Sequence, residues 1–216
     1  MVYTKLLREY CLQNKGIVFD ISKEYKEHFS MIPYKTYCKI LNRLAEEHIL
    51  TKESHRAYIV SNTKSKKDDV LKYYTNNGHG IVIGYSMYNS LGISKHKDEY
   101  VEIYTNLLAN HQKTIGKYKL YSFNIENFTE QYKNLIYALE LIEKGPYIKD
   151  CNESVRLSLI EYYLKDYSDL LFEFIIKAHE YNYSTICSLQ RILNDALRRQ
   201  CDCINIYLGQ IKQEEK

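Results

Sequence analysis

Residues 33–60, PYKTYCKILNRLAEEHILTKESHRAYIV, constrain the fold more than any other stretch of the chain. Tyr37, Ile40, Leu41 and Leu44 recur at the three- and four-residue spacing of a helix that buries one face. The spacing predicts a helix from Tyr34 to Glu47. Pro33 opens it, at a position where a missing N–H does no harm. Two β-prone runs follow, Ile49–Lys52 and Arg56–Val60, with Glu53, Ser54 and His55 at the turn between them.

The other face of that helix carries Lys35, Thr36, Lys39, Asn42 and Arg43. A helix macrodipole favours acids at the start and bases at the end. Here Lys35 and Lys39 stand near the start, while Glu46 and Glu47 stand at the end. The Lys35–Lys39 pair at i,i+4 costs on the order of a few tenths of a kcal/mol besides. An anion against the N-terminal half would account for both, and DNA phosphate is the natural candidate. On that reading Lys35, Thr36, Lys39 and Asn42 face the major groove or its phosphates. Asn and Lys reach base edges, and Thr meets a thymine methyl or a phosphate. Tyr34 either touches a phosphate or packs. Arg43 either joins the DNA face or supports Glu47 at i,i+4. Lys52, His55 and Arg56 lie on the hairpin, where they reach a minor groove or backbone; the alternative is an ordinary solvated turn.

Upstream, residues 3–14 read as a helix with Leu6, Leu7, Tyr10 and Cys11 on its apolar face, stopped at Gly16. Ile17–Phe19 is β-prone, and Asp20 or Ser22 can cap a second helix to about Phe29. The order helix, strand, helix, helix, hairpin is that of a winged helix-turn-helix, expected over residues 1–62. Charge follows the same division. Residues 1–67 hold 13 Lys and Arg against 7 Asp and Glu, whereas residues 68–216 hold 17 against 20. A positive excess confined to the first segment suits a nucleic-acid module joined to something else.

Ser61–Lys67 reads as a polar, basic linker. A small α/β domain is expected over 68–146. It comprises a helix Asp68–Asn77, a strand Ile81–Ile83, a short helix Tyr85–Leu91 closed by Gly92, a strand Tyr100–Tyr104 and a hairpin Lys113–Phe123 about Gly116. A longer helix follows, capped by an Asn127/Glu130 box and ended at Gly145-Pro146. Residues 147–216 read as a helical region packed on that domain, with helices near 153–165, 167–182 and 184–208. Ser154 and Ser184 are the natural caps of the first and third. The fold class is therefore α+β.

Chemistry-bearing motifs are missing from the sequence. Gly84-Tyr85-Ser86-Met87-Tyr88 lacks the second glycine of a nucleophile elbow. His179-Glu180 has no second histidine at zincin spacing, and no phosphate-binding glycine loop occurs. The expectation is no enzyme, no cofactor and no metal. Cys201 and Cys203 form a lone C-x-C, with Cys201 on the apolar stripe of a helix; a buried thiol is expected there. No apolar run approaches the roughly 18 residues that span a bilayer, and MVYTKLLREYC has no signal-peptide core. The expectation is a cytoplasmic protein with reduced thiols. The 23 tyrosines and absent tryptophan read as codon bias of an AT-rich genome.

With Ile40-Leu41-Asn42-Arg43-Leu44, then Leu50, then Tyr58, residues 5–60 resemble the N-terminal winged helix of the AbiE-type antitoxin family. His48 replaces that family's turn glycine, and the glycine before the wing tyrosine is absent. The stretches IVIGYSMYNSLGIS (81–94), VEIYTN (101–106) and KTIGKYKLYSF (113–123) resemble its second domain. The pattern is carried by Ser86, Leu91, Gly92, Ile93, Ser94, Thr105 and Ile115. The likeness covers roughly residues 3–145. It implies a repressor that binds double-stranded DNA repeats in its own promoter. It also implies the antitoxin of a bicistronic phage-defence (abortive-infection) pair, countering a nucleotidyltransferase-like toxin without need of a stable complex. The alternatives are a winged-helix regulator or a protein-interaction module with no toxin partner. The long last helix is read either as a homodimer seam or as closure of the helical region.

Overall fold

The computed structural model describes residues 2–54, 57–61, 69–108, 110–195 and 201–214. The fold is α+β. It opens with α1 (Val2–Gln13), β1 (Val18–Asp20), α2 (Ile21–Glu24, continued as a π-helical stretch Tyr25–Phe29), α3 (Tyr34–Glu46), β2 (Leu50–Ser54) and β3 (Ala57–Val60). These strands form an antiparallel sheet in the order β1-β3-β2. Next come α4 (Asp69–Thr75), β4 (Gly80–Ile83), α5 (Gly84–Ser90), β5 (Val101–Thr105), β6 (Gln112–Ile115) and β7 (Tyr118–Ser122). Their sheet has the order β4-β5-β7-β6. Only the β5–β7 pair in it is parallel, because the β6–β7 hairpin folds back and lays β7 against β5. The chain continues through α6 (Glu130–Lys144), α7 (Glu153–Tyr163), α8 (Asp169–Ala178), α9 (Tyr183–Asp195) and α10 (Asp202–Glu214). Among the described residues no helix is long and apolar enough to cross a membrane.

Strand alternation sends successive side chains to opposite faces, and both sheets use it to bury both faces. Phe19, Tyr58 and Val60 join Leu7, Tyr37, Leu41 and Leu44 in a core beneath α1 and α3. Their neighbours Val18, Ala57 and Ile59 face the other way. They pack with Val70 and Tyr74 of α4 and with Ile103, Ile115, Tyr118 and Leu120 of the second sheet. On the far side of that sheet Ile81, Ile83 and Tyr104 enter one large core with Leu135, Leu139, Phe172, Leu189 and Ile204 of the C-terminal helices. The two sheets thus share an apolar layer. Asp20 ties it at the edge: one carboxylate oxygen caps α2 through the Ser22 and Lys23 N–H groups, and the other pairs with Lys113 of β6.

Several turns follow their residues closely. Gly16, Gly92 and Gly116 take positive φ where chain reversals were expected. The end of α3 is more telling. His48 sits at φ 56°; its N–H donates to the Ala45 carbonyl (3.0 Å) and the Ile49 N–H to the Leu44 carbonyl (2.9 Å). That is a Schellman closure, with Ile49 packed in the same core as Leu44. His48 therefore occupies the left-handed position a glycine would fill more cheaply.

Other expectations are corrected. Asn127 does not cap α6; the Thr129 hydroxyl accepts from the Tyr132 N–H instead, while the Asn127 side chain lies against Gly78. Asn152, not Ser154, caps α7. The single helix expected over 184–208 is two: α9 ends at Asp195, α10 begins at Asp202, and Gln190 hydrogen-bonds Asn205 across the pair. Apolar period alone cannot distinguish a continuous helix from two that pack side by side. The expected Ser61–Lys67 linker lies outside the described residues after Ser61. Cys201 is buried.

Candidate nucleic-acid interface

Helix α3 divides lengthwise into three strips. Tyr37, Ile40, Leu41 and Leu44 are buried and anchor it. Lys35, Lys39 and Arg43, at i, i+4 and i+8, form an exposed basic ridge with Thr36 beside it. Among the described residues no ion pair neutralises that ridge. Pro33 provides no side-chain cap, and no acid lies in the first turn. The positive end of the helix is therefore unopposed where Lys35 and Thr36 stand.

Tyr34, Cys38 and Asn42, again at i, i+4 and i+8, form the third strip. They line an open cleft of about 680 Å³ between α3, the start of α2 and the hairpin, shared with Ile21, Ser22, Leu41, Lys52 and Tyr58. Its polar atoms are held in place. The Tyr58 hydroxyl donates to Asn42 Oδ1 (3.0 Å), and burial raises the Tyr58 pKa, keeping the phenol a donor. The Tyr37 hydroxyl donates to the Ile21 carbonyl (3.3 Å). The Tyr34 ring meets Tyr25 edge to face (5.0 Å) and remains half exposed. It packs and still presents a face to solvent. Lys52 stands opposite Tyr58 on β2, next to a register shift between Lys52 and Ser54 that marks a bulge in the hairpin.

The structure thus brings Tyr34, Asn42 and Lys52 to one cleft and sets Lys35, Thr36, Lys39 and Arg43 on the adjoining exposed ridge. His55 and Arg56 lie outside the described residues. Of the two roles left open for Arg43, support of Glu47 is not the one observed, since Glu47 pairs with Arg8 of α1 (2.6 Å). That pair turns the acidic end of α3 toward α1 and away from the basic ridge. Cys38 was not singled out from the sequence, and Ser22 and Tyr58 were named there only as a possible helix cap and as the wing tyrosine of the resemblance, not as residues of the site. Cys38 was legible, lying midway between Tyr34 and Asn42 on one helical strip. Tyr58 was not, because a core tyrosine that also orients a surface amide reads only as core. Asn42 enters with its oxygen partly used, so it presents chiefly its NH₂ group; a bidentate adenine contact needs the second lone pair of that oxygen. No protein-family model matches the chain, and no curated protein does.

Proposed function

We propose that this protein binds double-stranded DNA as a transcriptional autorepressor, with α3 as the recognition helix of a winged helix-turn-helix and β2–β3 as the wing. The observation that carries the reading is the Lys35–Lys39–Arg43 ridge, exposed and without ion-pair partners among the described residues. Like charges along one ridge of a helix cost stability unless an anion meets them. The order helix, strand, helix, helix, hairpin and the β1-β3-β2 sheet support the same architecture. In this reading the ridge tracks phosphates, while Asn42 and Thr36 reach base edges.

The same chain is proposed to be the antitoxin of a phage-defence pair, opposing a nucleotidyltransferase-like toxin. This half rests on the resemblance carried by residues 81–94, 101–106 and 113–123. Co-expression tests it: the neighbouring reading frame is toxic alone and harmless beside this chain. Toxicity that persists with this protein folded and abundant leaves a regulator without a toxin.

Fluorescence anisotropy with duplex from directly upstream of the start codon tests the DNA half. Affinity falls steeply with salt. Lys35→Ala/Lys39→Ala weakens binding by about 10- to 100-fold and reduces the log–log salt slope by about 1.8. The double variant melts at the same temperature as the parent or slightly higher, since it removes a repulsive pair. Folded protein that ignores this duplex at low salt, or a double variant that binds like the parent, defeats the reading.

A further inference from the structure

A second basic concavity lies where the two sheets meet, away from the exposed ridge of α3. It is an open hollow of about 520 Å³, in the size range of small-ligand sites. Its basic side chains come from separate elements: Lys23 from α2 and Lys72 from α4, with the His79 imidazole added from the turn before β4. No carboxylate lines it among the described residues. Two acids stand near it: Glu24 of α2, which accepts from the Tyr10 hydroxyl (2.6 Å), and Asp20 at the end of β1, which is committed to the α2 cap and to Lys113.

Its remaining lining is specific in type. Tyr73 contributes a half-buried ring, braced edge to face on Tyr74 (4.9 Å, 86°). Burial raises the Tyr73 pKa and the neighbouring Lys23 ammonium opposes that rise, which sets α2 beside α4 at the hollow. Asn76 and Asn77 place two amides at the end of α4. Asn77 takes a left-handed turn (φ 55°) that breaks the helix there. His79 is anchored through its backbone: the Thr105 hydroxyl (2.8 Å) and the Asn106 N–H (3.0 Å) both donate to its carbonyl. Its ring Nδ1 lies 3.3 Å from Asn106 Oδ1. Ile17 and Leu107 provide apolar walls.

We propose that this hollow binds a free nucleotide, with the phosphate held by Lys23 and Lys72 and the base laid against Tyr73 within reach of the Asn76 and Asn77 amides. A backbone phosphate of DNA would need only the cations. The aromatic ring, the paired amides and the apolar walls are what a base requires, since every base offers a π-face and a polar edge. Because Lys23 belongs to the first sheet's unit and Lys72, Tyr73 and His79 to the second, the ligand bridges the two. This assignment stands apart from the DNA-binding reading.

Isothermal titration of the full chain with each of the four ribonucleoside monophosphates and triphosphates tests it, with inorganic phosphate as the size control. At least one nucleotide binds one-to-one with a Kd below about 1 mM, and at least 10-fold more tightly than phosphate. Lys23→Ala/Lys72→Ala weakens that binding by 10-fold or more, as does Tyr73→Ala. Lys35→Ala/Lys39→Ala leaves it unchanged. Circular dichroism confirms that each variant is folded. Four outcomes overturn the proposal: no nucleotide saturates the folded parent; phosphate binds as tightly as any nucleotide; Lys23→Ala/Lys72→Ala binds like the parent; or that variant loses duplex affinity while the parent binds no free nucleotide. The last would make the hollow a DNA-backbone contact. Should Tyr73→Ala fail to fold, Tyr73→Leu replaces it, keeping apolar bulk and losing the ring.

Discussion

Helices α3 and α6 have similar lengths, 13 and 15 residues, and both bury an apolar strip, yet they handle charge in opposite ways. α6 starts with Glu130 behind a Thr129 cap and ends with Lys144, as the macrodipole prefers. Its buried acid is also held: Glu140 accepts from the Tyr88 hydroxyl (2.8 Å), and Lys144 donates to the adjoining Glu143 (3.0 Å). α3 has no acid in its first turn and no capping side chain, and it carries three cations along a solvated ridge. Charges on α6 serve the helix and its packing. Those on α3 weaken the isolated helix, and only packing below it compensates. That contrast in charge is the basis of the proposed DNA-binding role of α3.

The largest test of this contrast is at Glu140. It is 3 % exposed, and burial raises its pKa to about 7, with Tyr88 and Lys144 opposing that rise and Glu102 and Glu143 adding to it. Between its unfolded value and about 7 the folded chain holds a proton that the unfolded chain releases. This site's contribution to stability is therefore full at acidic pH and declines as pH rises through that window. Glu140→Gln keeps an acceptor for Tyr88 and removes the charge. The gap between variant and parent should grow in the variant's favour by on the order of 3 kcal/mol from pH 5 to pH 8, measured by urea unfolding. A gap that stays constant with pH would mean that the carboxylate is not held in a medium that penalises its charge.

A smaller effect is expected at the α6 cap. Thr129→Ala removes the acceptor for the Tyr132 N–H and should cost about 1 kcal/mol in thermal or chemical unfolding. Were Asn127 the true cap, Thr129→Ala would be nearly silent and Asn127→Ala would carry the loss. The smallest change concerns α3. His48→Gly relieves a left-handed residue and should stabilise the fold by under about 1 kcal/mol, the strain relieved being partly offset by glycine's greater freedom when unfolded. A lower melting temperature would show that the imidazole makes contacts worth more than the strain.

Much of the first unit was legible in its residues. The Tyr37–Leu44 stripe, Pro33, the Asp20 cap and Gly16 are local signals, and each acts within a few residues of itself. The exposed positions Lys35, Thr36, Lys39 and Asn42 were legible for the same reason, because helical spacing assigns faces. The partner of Glu47 was not. Arg43, four residues earlier on α3, and Arg8 of α1 are equally good cations, and only the packing of α1 on α3 decides between them. The split of the last helix was hidden as well. Its apolar stripe continues across the break, since both halves face one core.

By itself, then, the sequence determined local geometry and the sign of charge on each face: which stretches are helical, which residues must be buried, and which lysines are left facing water. Those properties depend on interactions within one or two turns. The tertiary structure alone decided the shared apolar layer between the two sheets, the cleft joining Asn42 to Lys52 and Tyr58, and the meeting of Lys23 with Lys72 and Tyr73. Each requires two segments far apart in the chain to come together. A continuous apolar run such as Ala57–Val60 tells only that both faces of its strand are buried, never what lies against them.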